Sequence, residues 1–225
     1  MIQFSIVDII NFFFIAAGIG TCTLSFRHIS VSSFLRKDIR RYFQIFFLVI
    51  ICYIGTHLIR QILNGQSGDG IRTCLTIVTF IEVFAAGFMS FMMGILVIAA
   101  SKVDKNVHLL HGILIALLSI HTVLLVINLF SGFIYYFDDG NLYERGKLYL
   151  LSNLTPIITI IICAVILVRY RKNLKKNIAI AFWVFTVTPI VAAGIQTFTY
   201  GVQFIILATV LSAVYMFETI IRDQT

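Results

Sequence analysis

Hydrophobic and polar positions along the chain fall into long apolar blocks separated by short polar ones. A helix needs about 20 mainly apolar residues to cross the hydrocarbon of a bilayer. Seven blocks meet that length: residues 5–26, 42–63, 74–100, 107–130, 148–168, 178–198 and 202–221. The last two are parted only around Tyr200 and Gly201. The pattern predicts an all-α integral membrane protein, a seven-transmembrane helix bundle occupying residues 1–225 as a single unit.

Composition strengthens this reading. Only 12% of residues are charged and the mean hydropathy is +0.99, against about 25% charged in an average soluble domain. A soluble protein this apolar would have no surface to show to water. The formal net charge of +7 is carried by lysines and arginines that alternate sides. Thirteen of the seventeen fall in the segments after the first, third, fifth and seventh blocks; Arg60, Arg72, Arg145 and Lys147 fall on the other side. By the positive-inside rule the N-terminus is outside and the C-terminus cytoplasmic, in a multi-pass plasma-membrane protein. That bias accounts for the charge without nucleic acid. The first block has no basic leader and is long enough to stay as an anchor rather than a cleaved signal. Cys22, Cys52, Cys74 and Cys163 lack the CxxC spacing of a zinc knuckle or a disulfide framework.

The segment between blocks four and five, SGFIYYFDDGNLYERG, is unlike its surroundings. Asp139-Gly140 between alternating residues is a hairpin signal, which predicts a short outer β-hairpin between helices 4 and 5. Such a hairpin is marginal alone and needs the bundle beneath it. Its aromatics could supply that contact, or form an ordinary interfacial belt.

Ionisable groups inside a membrane cost roughly 2.5–3.5 kcal/mol each on insertion scales, so each calls for a reason. Glu82 lies about 12 Å below the outer surface and His57 about 9 Å, with Arg60 one turn above His57 and Gln61 on the same side. His121 and Asn128 are two turns apart on one face. Asp8 and Asn11 open the first block, and Asn153, Gln196 and Gln203 lie near the outer ends of the last three. Polar side chains thus gather in the outer half, which predicts an outward-opening hydrated cavity, with Glu82 paired to His57 or Arg60 across helices 2 and 3. The same groups could instead glue helices together. Glu82, Ala86, Ser90 and Gly94, spaced by four, predict a stripe along which another helix approaches closely. Pro156 and Pro189 are expected kinks.

Several chemistries are excluded or disfavoured. The last block has no lysine for a retinal Schiff base, and no HExxH, GxSxG, Walker or kinase signature appears. No cofactor, metal or enzymatic activity is expected. A small transporter is the main rival, prompted by the repeated Thr155-Pro156-Ile157 and Thr188-Pro189-Ile190. Transporters place polar groups at the midplane, whereas here they are biased outward. A structural membrane partner without a ligand is the third class.

The stretch NLFSGFIYYFDDGNLYERGKLYLLS, with VRYRKNLKKN and TPIVAAGIQTFTYG after it, resembles seven-transmembrane sensor modules of bacterial signalling proteins. These modules sit N-terminal to diguanylate cyclase (GGDEF) or histidine kinase domains. The likeness covers most of the chain in topology and is motif-like from Asn128 to Gly201; it touches Asn128, Tyr136, Phe137, Asp138, Tyr143, Arg145 and Gly146. It implies a receptor role with a cytoplasmic effector, and a homodimer, since such effectors act in pairs. The chain departs from the pattern at FETIIRDQT, where no effector domain follows. The effector is therefore expected in a longer chain or on a separate partner protein.

Taken together, these features predict a small-molecule site between the outer helix ends, beneath the hairpin. Arg60 and Arg145 would suit an anionic group, and Glu82 and Asp138 a cation or hydroxyl. His57, His121, Asn128, Tyr136, Tyr143, Asn153 and Gln196 complete the expected lining. Pro189, Glu218 and Arg222 are expected to transmit the signal through the seventh helix.

Overall fold

The computed structural model describes residues 6–32, 35–68, 70–103, 106–198 and 202–224, without the side chains of residues 8, 193, 196–198 and 224. Its helices are α1 (Ile6–Val31), α2 (Lys37–Leu63), α3 (Ile71–Ala100), α4 (Val107–Ser131), α5 (Leu151–Arg169), α6 (Lys176–Phe198) and α7 (Phe204–Gln224). Strands β1 (Tyr135–Phe137) and β2 (Tyr143–Arg145) lie between α4 and α5. Six helices are apolar and long enough to cross a membrane, and α6 adds a shorter apolar stretch, Lys176–Ala192. The chain is an all-α, multi-pass membrane protein. The break expected at Tyr200 and Gly201 lies outside the described residues.

Helix ends run past the apolar blocks. α1 continues through Arg27 and His28, and α2 already includes Lys37, Asp38, Arg40 and Arg41. The backbone hydrogen bonds of a helix do not depend on apolar side chains; only the hydrocarbon slab does. Charged first and last turns therefore extend each helix beyond the slab.

In the bundle α1 packs on α2 and α7, α2 on α3, α3 on α4 and α5, and α6 on α7. α5 and α6 touch least of all consecutive helices. At the end carrying most of the cations, Phe43, Phe46 and Phe47 of α2, Phe182 of α6 and Phe217 of α7 are fully buried. Their rings meet edge to face, Phe43 with Phe217 at 5.3 Å and Phe46 with Phe185 at 5.3 Å. This arrangement favours both packing and ring quadrupoles.

The small-residue stripe on α3 behaves only partly as expected. The close approach is found at Gly94, as expected, but elsewhere it falls one position round, on Gly87. A Cβ at Gly87 would lie 2.5 Å from the His121 ring of α4, and one at Gly94 2.7 Å from Leu114. Ala86 and Ser90 border a cavity instead. Because His121 fills the space a methyl would take, Gly87→Ala is expected to force α3 from α4 and cost about 1–3 kcal/mol by overpacking. The check is thermal unfolding in detergent, with Gly112→Ala, which meets nothing within 4 Å, as the silent control.

Candidate functional site

The hairpin end of the bundle is organised around Glu82 of α3, only 7% exposed. A carboxylate at that depth needs partners, and α2 supplies two. Arg60 donates from Nε to Glu82 Oε2 at 2.6 Å and from Nη2 to Oε1 at 3.0 Å. His57 Nδ1 lies 2.7 Å from Oε1. His57 and Arg60 reach one carboxylate because residues three apart are neighbours on a helix surface. Nδ1 also lies 3.1 Å from Arg60 Nη2. Guanidinium only donates and carboxylate only accepts. The proton on Nδ1 therefore goes to Glu82, and Nε2 becomes the open ring position. Nε2 is buried and has no hydrogen-bond partner among the described residues.

The hairpin is fastened over this cluster. Its register pairs Tyr135 with Arg145, Tyr136 with Glu144 and Phe137 with Tyr143. The turn is not the two-residue Asp-Gly type. Residues 138–142 form a longer loop, closed by Asp138 N–H to the Leu142 carbonyl at 3.1 Å, with Asn141 as the left-handed residue (φ 59). Asp138 is committed to the loop, accepting from Leu142 N at 2.8 Å. Asn128, at the end of α4, accepts from Ile134 N at 2.7 Å and Tyr135 N at 3.2 Å, and donates to the Tyr135 carbonyl at 3.1 Å. Arg72, at the start of α3, donates to the carbonyls of Phe137 at 2.6 Å and Asp138 at 3.0 Å. Asn64 accepts from Tyr143 N, and Asn141 donates to Gln66. The Arg60 guanidinium stands 4.9 Å from the Tyr143 ring centroid, a cation–π contact that joins cluster to hairpin. Gly146 follows β2 so closely against the Phe133 and Gly132 carbonyls that no side chain fits there.

Burial pushes the Tyr135 phenol up to about 12, and it pushes Tyr143 up too, with the nearby Tyr149 phenol adding to the effect. In the window between the ordinary phenol value of 10.0 and the raised one, the folded hairpin keeps protons that the unfolded chain releases. Stability of the hairpin is therefore expected to be whole below that window and to fall as pH rises through it. Tyrosinate absorbance should show Tyr135 and Tyr143 ionising only above the ordinary phenol range.

Beside the cluster, a cavity of about 200 Å³ is lined by Val7 and Asn11 of α1, by His57, Arg60 and Gln61 of α2 with Asn64 just after it, and by Gln203 just before α7. Gln203 N donates to Asn11 Oδ1 at 2.9 Å, and its Nε2 lies 3.4 Å from Gln61 Oε1. Gln203 Oε1 is buried without a partner among the described residues.

Of the residues expected at a ligand site, His57 and Arg60 line this cavity and Glu82 stands behind them. The others serve elsewhere. His121 is 1% exposed with Nε2 3.1 Å from the Val83 carbonyl, so it ties α4 to α3. Asn128 and Asp138 are spent on the hairpin backbone. Tyr136 points outward because strand side chains alternate, and Tyr135 and Phe137 take the inner face. Tyr143 packs on Arg60 above the cluster rather than in the cavity. Arg145 is exposed and stacks on Tyr149 at 4.6 Å. Asn153 is exposed on α5, and the Gln196 side chain lies outside the described residues. Asn64 was not anticipated, nor was the convergence of Asn11, Gln61 and Gln203. The available signal was their common polarity near one end; the missing one was that α7 packs against α1. Pro189 lines a second cavity deeper in the bundle. Glu218 pairs with His28 of α1 at 3.4 Å, and Arg222 is exposed near the end of α7.

No family model matches the chain, and neither the curated proteins nor the solved structures provide a match.

Proposed function

We propose that the chain is a plasma-membrane sensor module whose hairpin end faces outward and which binds a small polar ligand in the cavity among α1, α2 and α7. The observation that carries the reading is the composition of that cavity. Six of its seven lining residues are polar, and two of them, His57 and Gln203, hold buried polar atoms without hydrogen-bond partners among the described residues. Unsatisfied buried groups cost about 1–3 kcal/mol each, and a ligand or water that bonds them recovers part of that cost. Thirteen of the seventeen cations fall, by sequence, in the segments after the first, third, fifth and seventh apolar blocks, which supports hairpin outside and C-terminus cytoplasmic.

The cavity also suggests how binding leaves the site. Gln203 immediately precedes α7, which packs tightly on α6. A ligand held between Gln203 and α2 pulls directly on the head of that pair, and α7 carries the shift to the far end. Such a shift requires the ligand to bind one bundle state better than the other. A cytoplasmic effector, on the same or a separate chain and acting as a dimer, would read it.

Passage of a polar solute is disfavoured by the fully buried phenylalanine cluster toward the opposite end. The test is a thermal-shift screen of purified protein against small water-soluble metabolites, with hits carried into liposomes. Saturable binding without flux, lost in Gln203→Leu, is the expected result. Flux identifies a transporter, and a screen with neither binding nor flux identifies a structural membrane protein.

A further inference from the structure

The second cavity lies near the middle of the bundle, between α3 and α5 on one side and α6 and α7 on the other, and measures about 120 Å³. Its walls include Met89 and Met93 of α3, Thr159 and Cys163 of α5, and Phe185 and Pro189 of α6. Two of the four lining hydroxyls are spent on their own helices. Ser90 Oγ bonds the Ala86 carbonyl at 3.3 Å and Thr186 Oγ1 the Phe182 carbonyl at 2.8 Å, each within its own helix. Those two have no proton left to donate into the space, and the other walls are mostly Met, Ile, Phe, Ala and Pro. The lining suits hydrocarbon and offers little to a polar solute or to water, since apolar cavities stay dry.

The cavity is not closed. Its walls include residues from both sides of the α5–α6 seam, the loosest between consecutive helices. Ile190 of α6, which lines it, is 52% exposed, and Val187 of the same helix and Ile161 of α5 are exposed at 46% and 56%. At this depth the medium outside the seam is lipid hydrocarbon. An apolar void left unfilled forfeits dispersion contacts on all its walls, and the nearest material that can fill it is an acyl chain.

We propose that this cleft is a binding site for one hydrocarbon chain of a bilayer lipid, which enters between α5 and α6 and lies against Met93 and Thr159. The chain acts as a wedge. It holds α6, and with it α7, away from α3 and α5, so lipid chain shape sets the spacing of the two halves of the bundle. The site shares no residue with the polar cavity and does not depend on that cavity having a ligand.

Full-length protein is reconstituted in phosphatidylcholine carrying a diazirine midway along one chain, irradiated, and mapped by peptide mass spectrometry. Label is expected on Met93 and Thr159, both buried, as well as on lipid-facing Ile161. Filling the cleft by Ala86→Phe, or by Ser90→Leu where the first variant does not reconstitute, should cut label on Met93 and Thr159 at least fivefold and leave Ile161 unchanged. Wild-type label on Ile161 without label on Met93 and Thr159 overturns the proposal. So does wall label that persists undiminished in a folded filling variant.

Discussion

Replacing Glu82 by alanine is expected to destabilise the protein by about 3–5 kcal/mol, the usual cost of leaving a buried charge without its counterion. The reason is local. Arg60 directs both Nε and Nη2 at Glu82, and His57 Nδ1 has the same target. Once the carboxylate is gone, a guanidinium with only 19% of its side chain exposed has no anion, and the imidazole loses its one good acceptor. The damage should spread to the hairpin, because Arg60 also faces the Tyr143 ring. Thermal unfolding in detergent reads the loss. Glu82→Gln, which keeps an acceptor oxygen, should lose less. Glu82→Gln with Arg60→Met should recover much of the difference, since removing both charges of a buried pair costs less than removing one. An unchanged melting temperature in Glu82→Ala would mean that the pair is solvated and the account of this end is wrong. A loss of response in Glu82→Ala would thus report a damaged fold; Gln61, Asn64 and Gln203 are the positions that report on a ligand.

The second large effect is expected at Asn128. Its amide makes three hydrogen bonds to the backbone of residues 134 and 135, all buried. Alanine would strand two N–H groups and a carbonyl, at about 1 kcal/mol or more apiece. The hairpin should therefore loosen by about 3 kcal/mol, seen as roughly a hundredfold faster amide exchange at Ile134 and Tyr135. Helix amides in α2 and α3 should keep their protection. Asn128→Asp, which keeps the acceptor but sets a carboxylate against the Tyr135 carbonyl, should fall between. Exchange at Ile134 as slow as in the wild type would show that Arg72 and Asn64 alone hold the hairpin.

These two positions also show what is legible in the sequence. The pairing of Glu82 with α2 can be read there, because a lone intramembrane carboxylate must find a cation and only His57 and Arg60 lie at its depth on the adjacent helix. The hairpin segment can be read from Asp139-Gly140, although the left-handed residue is Asn141. Asn128 is conspicuous as a polar residue among leucines, yet nothing local separates an amide that binds a ligand from one that clamps a strand. The placement of the cavity is not legible for a similar reason. It depends on α1 meeting α7 from opposite ends of the chain, and apolar blocks carry no record of which neighbour they face. The stripe on α3 holds at Gly94 but slips by a single position at Ala86: Ala86 and Gly87 are both small, and only the position of His121 decides which of them meets α4.

The most direct measurement is of access to the polar cavity. Gln61→Cys and Gln203→Cys are made in a background with Cys52→Ser and Cys74→Ser, which removes the two exposed native cysteines. Intact cells are treated with a membrane-impermeant, positively charged methanethiosulfonate. The account predicts that both cysteines react from outside, while a cysteine at Ser212, buried deeper in α7, stays unmodified. Protection of positions 61 and 203 in intact cells, with reaction only after the cytoplasmic face is exposed, would contradict it.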